Sequence, residues 1–438
     1  MSFEVAPPRL VRAVGLAGLI AIAINGVVGA GIFVLPATVA ALAGAASPAA
    51  YAVAASLMAL VVLCFAEAGS LFEETGGPYV YARAAFGPFA GFLVGWMYLL
   101  SRLAAAAAVG NAFAAYLGYF WPALAQGPGR VAVLTLSIGL LAAANVVGVR
   151  SGARTVNILT VAKMLPLLLF VGAGLAAADP SRYRLLALPA TGALRQASLL
   201  LVFAFGGFEN ASVPAEEVKD PRRHLPIALL VSIGMTAVLY VLIQIVALGT
   251  LPGLAADPTP LASAASRFLG PIGAGVMTLG AVFSTLGTES ALILVGPRIL
   301  YAFARGGQMP GVLGRIHPLF RTPHVAIAAF AILAWAAALA GSFGQLAAVS
   351  AIARLVFSAA TCLALPVLRR RMAPSRFRVP GGLFVPLAAA ALALWLLLAI
   401  SRDQALAGAA ALVAGLALYA VFGSGRFAPE KGKLSGGP

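Results

Sequence analysis

Six ionisable side chains lie inside long apolar stretches of the sequence, where a charge needs a physical explanation. They are three basic and three acidic residues: Arg102, Lys163, Arg354, Glu67, Glu209 and Glu289. A charged side chain at the centre of a bilayer costs about 2.5–3.5 kcal/mol on insertion scales, so such residues are expected to pair or to serve a function. We interpret Arg102, Glu289 and Arg354 as members of intramembrane charge pairs. The sequence does not determine which residues pair, and a substrate carboxylate is an alternative partner for Arg102.

Two glycine-containing segments, residues 25–31 and 205–207, interrupt apolar runs. Unwound backbone at membrane depth is tolerated only where it lines a cavity or contacts a ligand. A new helix N-terminus offers free N–H groups to an anion, and a new C-terminus offers carbonyls to a cation. An α-amino acid carries both charges, so the first break is expected to bind its carboxylate and the second its ammonium. The predicted pocket residues are Val28, Gly29, Ala30 and Gly31 on the first segment and Phe203, Ala204, Phe205, Gly206 and Phe208 on the second.

Composition indicates which elements must position these residues. Hydrophobic residues make up 62% of the 438 and charged residues 10%, and the mean hydropathy is +1.00. These values are typical of a polytopic α-helical membrane protein, because about 20 apolar residues span the hydrocarbon layer. Twelve transmembrane helices are predicted, near residues 14–41, 48–71, 86–120, 130–149, 154–178, 193–216, 226–250, 271–302, 323–341, 346–368, 380–400 and 404–423.

The distribution of positive charge predicts the orientation of these helices. With a cytoplasmic N-terminus, 20 of the 29 Lys and Arg residues lie inside and six outside, and Arg102, Lys163 and Arg354 lie within spans. Positive residues gather in cytoplasmic loops, so the net charge of +16 reports topology rather than nucleic-acid binding, and both termini are predicted to be cytoplasmic. The two breaks begin five helices apart, which predicts an inverted repeat of helices 1–5 (about 14–178) and 6–10 (about 193–368). Helices 11 and 12 (about 380–423) follow it within a single membrane domain, residues 1–438.

Four segments resemble the motifs of the amino acid–polyamine–organocation (APC) superfamily. They are residues 25–36 (NGVVGAGIFVLP), 76–87 (GGPYVYARAAFG), 205–209 (FGGFE) followed by 216–223 (EEVKDPRR), and 296–310 (GPRILYAFARGGQMP). The resemblance extends over most of the chain. It implies the 5+5 inverted-repeat fold of sodium-coupled leucine transporters, with alternating access around a site at the membrane midplane.

The resemblance also implies roles for two charged residues. In several proton-coupled members a helix-5 lysine places its ammonium between helices 1 and 8, where sodium-coupled relatives bind a cation, and Lys163 fits that pattern. It lies nine residues after Arg154, about 14 Å along a helix. Its expected contacts are Gly26 and Val27 on helix 1 and Ser284, Thr285 and Thr288 on helix 8, while a structural pair with Glu289 is the alternative. Glu209 matches a family glutamate linked to protonation, so it is expected to be a gate or proton-coupling residue, with a structural ion pair as the alternative.

These expectations favour a secondary active transporter that couples protons to a neutral amino acid of small or medium size. An amino acid or polyamine exchanger is the closest alternative, and a channel or a membrane-embedded enzyme is more remote. All three histidines, His224, His317 and His324, fall in predicted loops, so no catalytic or metal centre is expected within the membrane and no cofactor is predicted. The expected partners are a small amino acid, protons and the lipid of the cell membrane. The oligomeric state is left open.

Overall fold

The computed structural model describes residues 14–423, except residues 75, 148–149, 184–188, 214, 216–217 and 399, and it describes residues 150–159 by their backbone only. Within these ranges the chain is almost entirely helical, and one isolated β-bridge joins Val14 to Val218. Several residues used in the sequence predictions lie outside the described residues: Arg9, Arg12, Arg184, Glu216, Glu217, Arg426, Lys431 and Lys433.

The first half of the chain forms seven α-helices within the described residues. They are α1 (Leu16–Val27), α2 (Gly31–Ala43), α3 (Ser47–Ser70), α4 (Pro78–Phe86), α5 (Pro88–Leu117), α6 (Gly127–Val147) and α7 (Arg150–Ala177). Proline stands in the first turn of α3, α4 and α5, where its fixed φ suits the helix and its missing N–H is not needed. Glycines with positive φ, Gly77 and Gly87, precede α4 and α5 and allow the sharp turns between them.

The described residues of the second half form seven more α-helices. They are α8 (Thr191–Ala204), α9 (Pro221–Thr250), α10 (Pro260–Arg305), α11 (His324–Ala340), α12 (Phe343–Arg371), α13 (Phe384–Leu397) and α14 (Arg402–Leu418). A short 3-10 helix, Phe208–Ser212, follows α8. Ser342 and Ser401 begin α12 and α14 with capping boxes, in which each serine accepts from the backbone N–H three residues later. Gly270, with φ of 65°, kinks α10 near its start.

Nine helical segments of the described chain are long and apolar enough to cross a membrane, and three shorter apolar helices, Leu16–Val27, His324–Ala340 and Phe384–Leu397, accompany them. Helix α5 lies at the centre, since 78% of its most apolar window is buried, whereas α14 lies at the periphery with 6%. Large apolar side chains such as Leu140, Ile272 and Leu406 face outward, as expected for contact with lipid. The total of twelve spans, their single-domain division and their inverted repeat remain predictions.

The structure differs from the predicted elements in three places. Helix α4 lies between the predicted spans 48–71 and 86–120, where no helix was predicted, because nine residues are too few to give a membrane-length apolar signal. The predicted helix 193–216 ends at Ala204, where the chain unwinds. The predicted helix 271–302 begins earlier, at Pro260, with an additional segment before the Gly270 kink.

Candidate functional site

Two interruptions of the helices meet in the interior of the protein. Helix α1 ends at Val27 and α2 begins at Gly31, and α8 ends at Ala204 before the 3-10 helix that starts at Phe208. Gly26 and Gly207 contact each other through their backbones, so a methyl group on either glycine would overlap the carbonyl of the other. Gly207 also has φ of 111°, a conformation that other residues rarely adopt. Glycine is therefore required where the two breaks touch.

The first break presents backbone N–H groups without an acceptor in the described part of the chain, and their assignment to a ligand carboxylate stays a prediction. The N–H groups of Gly29 and Ala30 have no acceptor among the described residues, and Gly31 opens α2. Free N–H groups and the positive end of the helix dipole favour a negatively charged group at this point.

The second break differs from the expectation that its carbonyls are free for an ammonium. Arg354 donates from Nη1 to the carbonyls of Val202 at 3.1 Å and Phe203 at 3.4 Å. The hydroxyl of Tyr240 donates to the carbonyl of Ala204 at 3.4 Å. The carbonyls assigned to a ligand at Phe203 and Ala204 are thus already hydrogen-bonded by the protein.

A small cavity of about 20 Å³ lies between the breaks, which is room for about one water molecule. Most of the predicted pocket residues border it, together with two arginines and several small apolar side chains. The lining residues are Gly26, Val27, Gly29, Ala30, Gly31, Arg102, Ala105, Val109, Phe203, Ala204, Gly206, Gly207, Asn210, Thr288, Leu292 and Arg354. Binding of an amino acid therefore requires the cavity to widen.

Three aromatic residues of the second break differ in their placement. Phe203 borders the cavity and packs edge-on against Phe343, with ring centroids 5.7 Å apart. The ring of Phe205 packs on Tyr240 instead, and the ring of Phe208 packs on Phe65. Of the three, only Phe203 is placed to cover a ligand, whereas Phe205, Phe208 and Val28 do not line the cavity.

A buried cluster of three charges lies beside the same cavity, and its two arginines, Arg102 and Arg354, border it. Glu209 accepts through Oε1 from Arg102 at 2.7 Å and from Arg354 Nε at 2.9 Å. Its Oε2 accepts the N–H of Gly207 at 2.9 Å. Arg102 also donates to Asn210 at 2.8 Å, but its Nε has no partner among the described residues. The cluster holds two positive charges and one negative charge, all removed from solvent.

The expected pairing of Glu289 is different in the structure. Its Oε1 accepts a long hydrogen bond from Ser137 at 3.4 Å, and its Oε2 has no partner within the described part of the chain. Arg102 and Arg354 both form ion pairs with Glu209 instead. Glu289 forms no ion pair with a described residue.

Lys163 links α7 to the first break. Its buried ammonium donates to the carbonyls of Asn25 at 2.9 Å and Val28 at 2.5 Å. These acceptors flank the predicted carbonyls of Gly26 and Val27: Asn25 lies in the last turn of α1, and Val28 is the first residue after the helix, with extended backbone. The side chain of Arg154, from which its depth was counted, is not described.

The hydroxyls of α10 share acceptors with Lys163 rather than bonding to it. Ser284 donates to the carbonyls of Val28 at 3.3 Å and Gly29 at 3.4 Å. Thr288 lies 3.5 Å from the carbonyl oxygens of Asn25 and Val28. Thr285 instead donates to Ala281 within its own helix. The ammonium and two hydroxyls therefore converge on one turn of unwound backbone.

Tyr240 on α9 was missed by the sequence analysis, although it contacts both breaks. Its hydroxyl donates to the carbonyl of Val27 at 2.9 Å as well as to Ala204. A tyrosine within a long apolar helix has no sequence feature that separates this role from packing. A buried tyrosine hydroxyl usually finds a hydrogen-bond partner, but the sequence does not show that these partners are the carbonyls of the two breaks.

Comparison with known proteins is consistent with this geometry. The family described as "Amino acid permease" matches residues 14–422. The chain is 28% identical to a methylthioribose transporter of Bacillus subtilis, over 88% of both chains. It is 29% identical to a branched-chain amino acid permease of the same bacterium, over 94% of this chain and 93% of the relative. It is 28% identical to the mouse b(0,+)-type amino acid transporter 1, over 91% of this chain and 84% of the relative.

Proposed function

The chain belongs to the amino acid permease family of the APC superfamily, and from this premise we propose that it is a proton-coupled amino acid symporter working by alternating access. The family and the relatives are transporters rather than enzymes, and the many apolar helices make this chain a multi-pass membrane protein. Membership of the family supports amino acid transport in general. The relatives' names differ in substrate, since one names methylthioribose and another names branched-chain amino acids, so they do not identify the substrate of this chain. The coupling and the substrate are argued from the site.

The observation that carries proton coupling is the position of Lys163. Its ammonium holds the carbonyls of Asn25 and Val28, and Ser284 and Thr288 of α10 meet the same backbone. Loss of the proton would remove the positive charge from these carbonyls and loosen α1 from α7 and α10. Return of the proton would tighten the contact. Coupling by sodium is disfavoured, because the ammonium already occupies the oxygens that would ligate the ion.

The substrate is expected to lack a net positive charge. Free N–H groups at Gly29 and Ala30 suit its carboxylate. Arg102 and Arg354 line the cavity and share the single carboxylate of Glu209, which does not line it, so the two arginines would repel a cationic amino acid or a polyamine. This charge balance supports one part of the sequence-based expectation of a neutral substrate, namely that the substrate is not cationic.

Uptake of radiolabelled amino acids into proteoliposomes tests the coupling. Wild-type protein is expected to show uptake that an inward proton gradient stimulates and that replacement of sodium by choline leaves unchanged. Lys163→Ala is expected to reduce uptake to the level seen without a gradient, because no charge remains to hold the first break. Lys219→Ala, which changes an exposed lysine, is the matched control and should behave as wild type.

Two results would contradict the proposed coupling: uptake that requires sodium, or a Lys163→Ala protein that responds fully to the proton gradient. Uptake that depends on an amino acid loaded inside the vesicles would instead identify an exchanger. Competition by arginine, agmatine or putrescine that exceeds competition by alanine, serine or leucine would overturn the exclusion of cationic substrates.

A further inference from the structure

Among the described residues, the three buried charges beside the cavity leave one positive charge without a counter-charge. Arg102 and Arg354 share the single carboxylate of Glu209, and all three side chains are nearly or completely buried. Within the described part of the chain, Lys163 and Glu289 are the other buried residues of charged type near the breaks, and neither lines the cavity. A buried charge without a partner is unfavourable, so the site is incomplete as it stands.

The hydrogen bonds of Arg102 show where a counter-charge would bind. Its Nη1 donates to Asn210 at 2.8 Å, and its Nη2 donates to Glu209 and Ser101 at 2.7 and 3.3 Å. Its Cζ atom also lies over the ring of Tyr98, 5.1 Å from the centroid, at a distance that allows a cation–π interaction. Its Nε, buried and without a partner among the described residues, belongs to a side chain that borders the cavity. The Nε–H of this fully buried guanidinium is therefore left for a ligand.

The remaining polar groups of the cavity are mostly donors. Gly29 and Ala30 offer free N–H groups, whereas the carbonyls of Phe203 and Ala204 already accept from Arg354 and Tyr240. A neutral amino acid would bring no net charge and would leave the excess positive charge sealed in the cavity. A substrate with two carboxylates and one ammonium would neutralise it.

We propose that the preferred substrate is an acidic amino acid, whose α-carboxylate binds the free N–H groups of the first break and whose side-chain carboxylate binds Arg102. This inference rests on the proposed transport function and replaces the neutral substrate with an acidic one. The side-chain methylenes would pack on Ala105, Val109 and Leu292, which line the same cavity. Glu209 and Arg354 are hydrogen-bonded to the backbone of the second break. In this proposal the second carboxylate therefore binds Arg102 rather than Arg354.

Competition in proteoliposomes separates this inference from the proposed function. Under a proton gradient, wild-type uptake of labelled L-glutamate or L-aspartate should exceed that of L-glutamine or L-asparagine, which have the same shape without the charge. Detergent-solubilised protein should be stabilised against heat more by L-glutamate than by L-glutamine, which reports binding without transport. Absence of uptake of every amino acid tested would contradict the proposed function itself. Uptake that favours glutamine, leucine or alanine would overturn only the acidic preference.

Variants of Arg102 test the assigned residue. Arg102→Gln leaves the pair of Glu209 and Arg354 intact and should lower the affinity for glutamate relative to glutamine about 10- to 100-fold, the usual effect of losing a hydrogen bond to a charged group. Arg102→Lys keeps the charge and should keep the preference for glutamate. Arg402→Gln removes an exposed arginine at the start of α14 and should change neither ratio.

An inorganic anion is the other possible source of negative charge, and the same assay distinguishes it. Replacement of chloride by gluconate should not alter uptake of glutamate. Transport of neutral amino acids that depends on chloride would overturn the proposal in favour of a bound halide. An unchanged glutamate-to-glutamine ratio in Arg102→Gln protein that is folded, as judged by its melting temperature, would also overturn it.

Discussion

At the scale of single residues, Glu209 stabilises the break in α8. One oxygen of its carboxylate accepts from two arginines and the other from the backbone of Gly207. The sequence analysis left open whether this glutamate serves as a gate or forms a structural ion pair. Its contacts are those of a structural ion pair, and its proton-coupling role remains a prediction.

Glu209→Gln is expected to destabilise the protein strongly, because it leaves two buried arginines without a negative partner. Breaking a buried charge pair by removing one member typically costs about 3–5 kcal/mol. Thermal unfolding in detergent measures the effect. Glu74→Gln removes an exposed partner of Arg83, and such a pair contributes about 1 kcal/mol or less, so this control should unfold near the wild-type temperature. Equal melting temperatures for the two variants would contradict the structural role of Glu209.

At the scale of the helices, the glycines at the two breaks differ in what a larger side chain would meet. A methyl group on Gly31 would lie 2.9 Å from the Cα atom of Ala204, which belongs to the backbone of α8. A methyl group on Gly29 would instead lie 3.1 Å from the hydroxyl oxygen of Thr288, a side chain that has more freedom to move. The two glycines therefore respond differently to substitution.

Gly29→Leu is expected to abolish substrate binding while the protein stays folded, because its side chain enters the cavity from the first break. Gly31→Leu is expected to abolish binding and also to lower the melting temperature, because it displaces α8. The stabilisation by added substrate reports binding, and the melting temperature without substrate reports folding. Gly139→Ala, on α6 with open space around it, should affect neither. Normal affinity in Gly29→Leu would remove the first break from the site.

The sequence predicted the breaks more successfully than the contacts around them. Glycine clusters that interrupt apolar runs are local features, so residues 25–31 and 205–207 were found without knowledge of the fold. The link between Arg102, Glu209 and Arg354 joins α5, the 3-10 helix after α8 and α12 across more than 100 residues of sequence, so only the three-dimensional packing reveals it. The acceptors of Lys163 were misplaced by one residue on each side, since the precise face of α1 depends on where its helix ends.

At the scale of the whole molecule, orientation in the membrane is still inferred from charge alone. The loop between α12 and α13 is rich in arginine and is predicted to be cytoplasmic, and the loop between α7 and α8 is predicted to be outside. Cys64 and Cys362 are both buried, so an introduced cysteine can be labelled against a low background.

Arg182→Cys, in the outer loop, is expected to react with a membrane-impermeant maleimide in intact cells. Arg376→Cys, in the inner loop, should react only after the membrane is permeabilised. Both positions are exposed in the structure. The reverse pattern would invert the topology and with it the predicted cytoplasmic location of both termini.

The contact between Gly26 and Gly207 also has an evolutionary consequence. The frame of the cavity is made of backbone that tolerates no side chain at these two positions, whereas its walls are replaceable apolar side chains at Ala105, Val109, Phe203 and Leu292. Substitution of the lining side chains one at a time can therefore adapt the cavity to a new substrate. Substitutions of Gly26 or Gly207 would instead separate the two breaks and be selected against. Descendants of one ancestral permease would then differ in substrate specificity before they differ in transport mechanism.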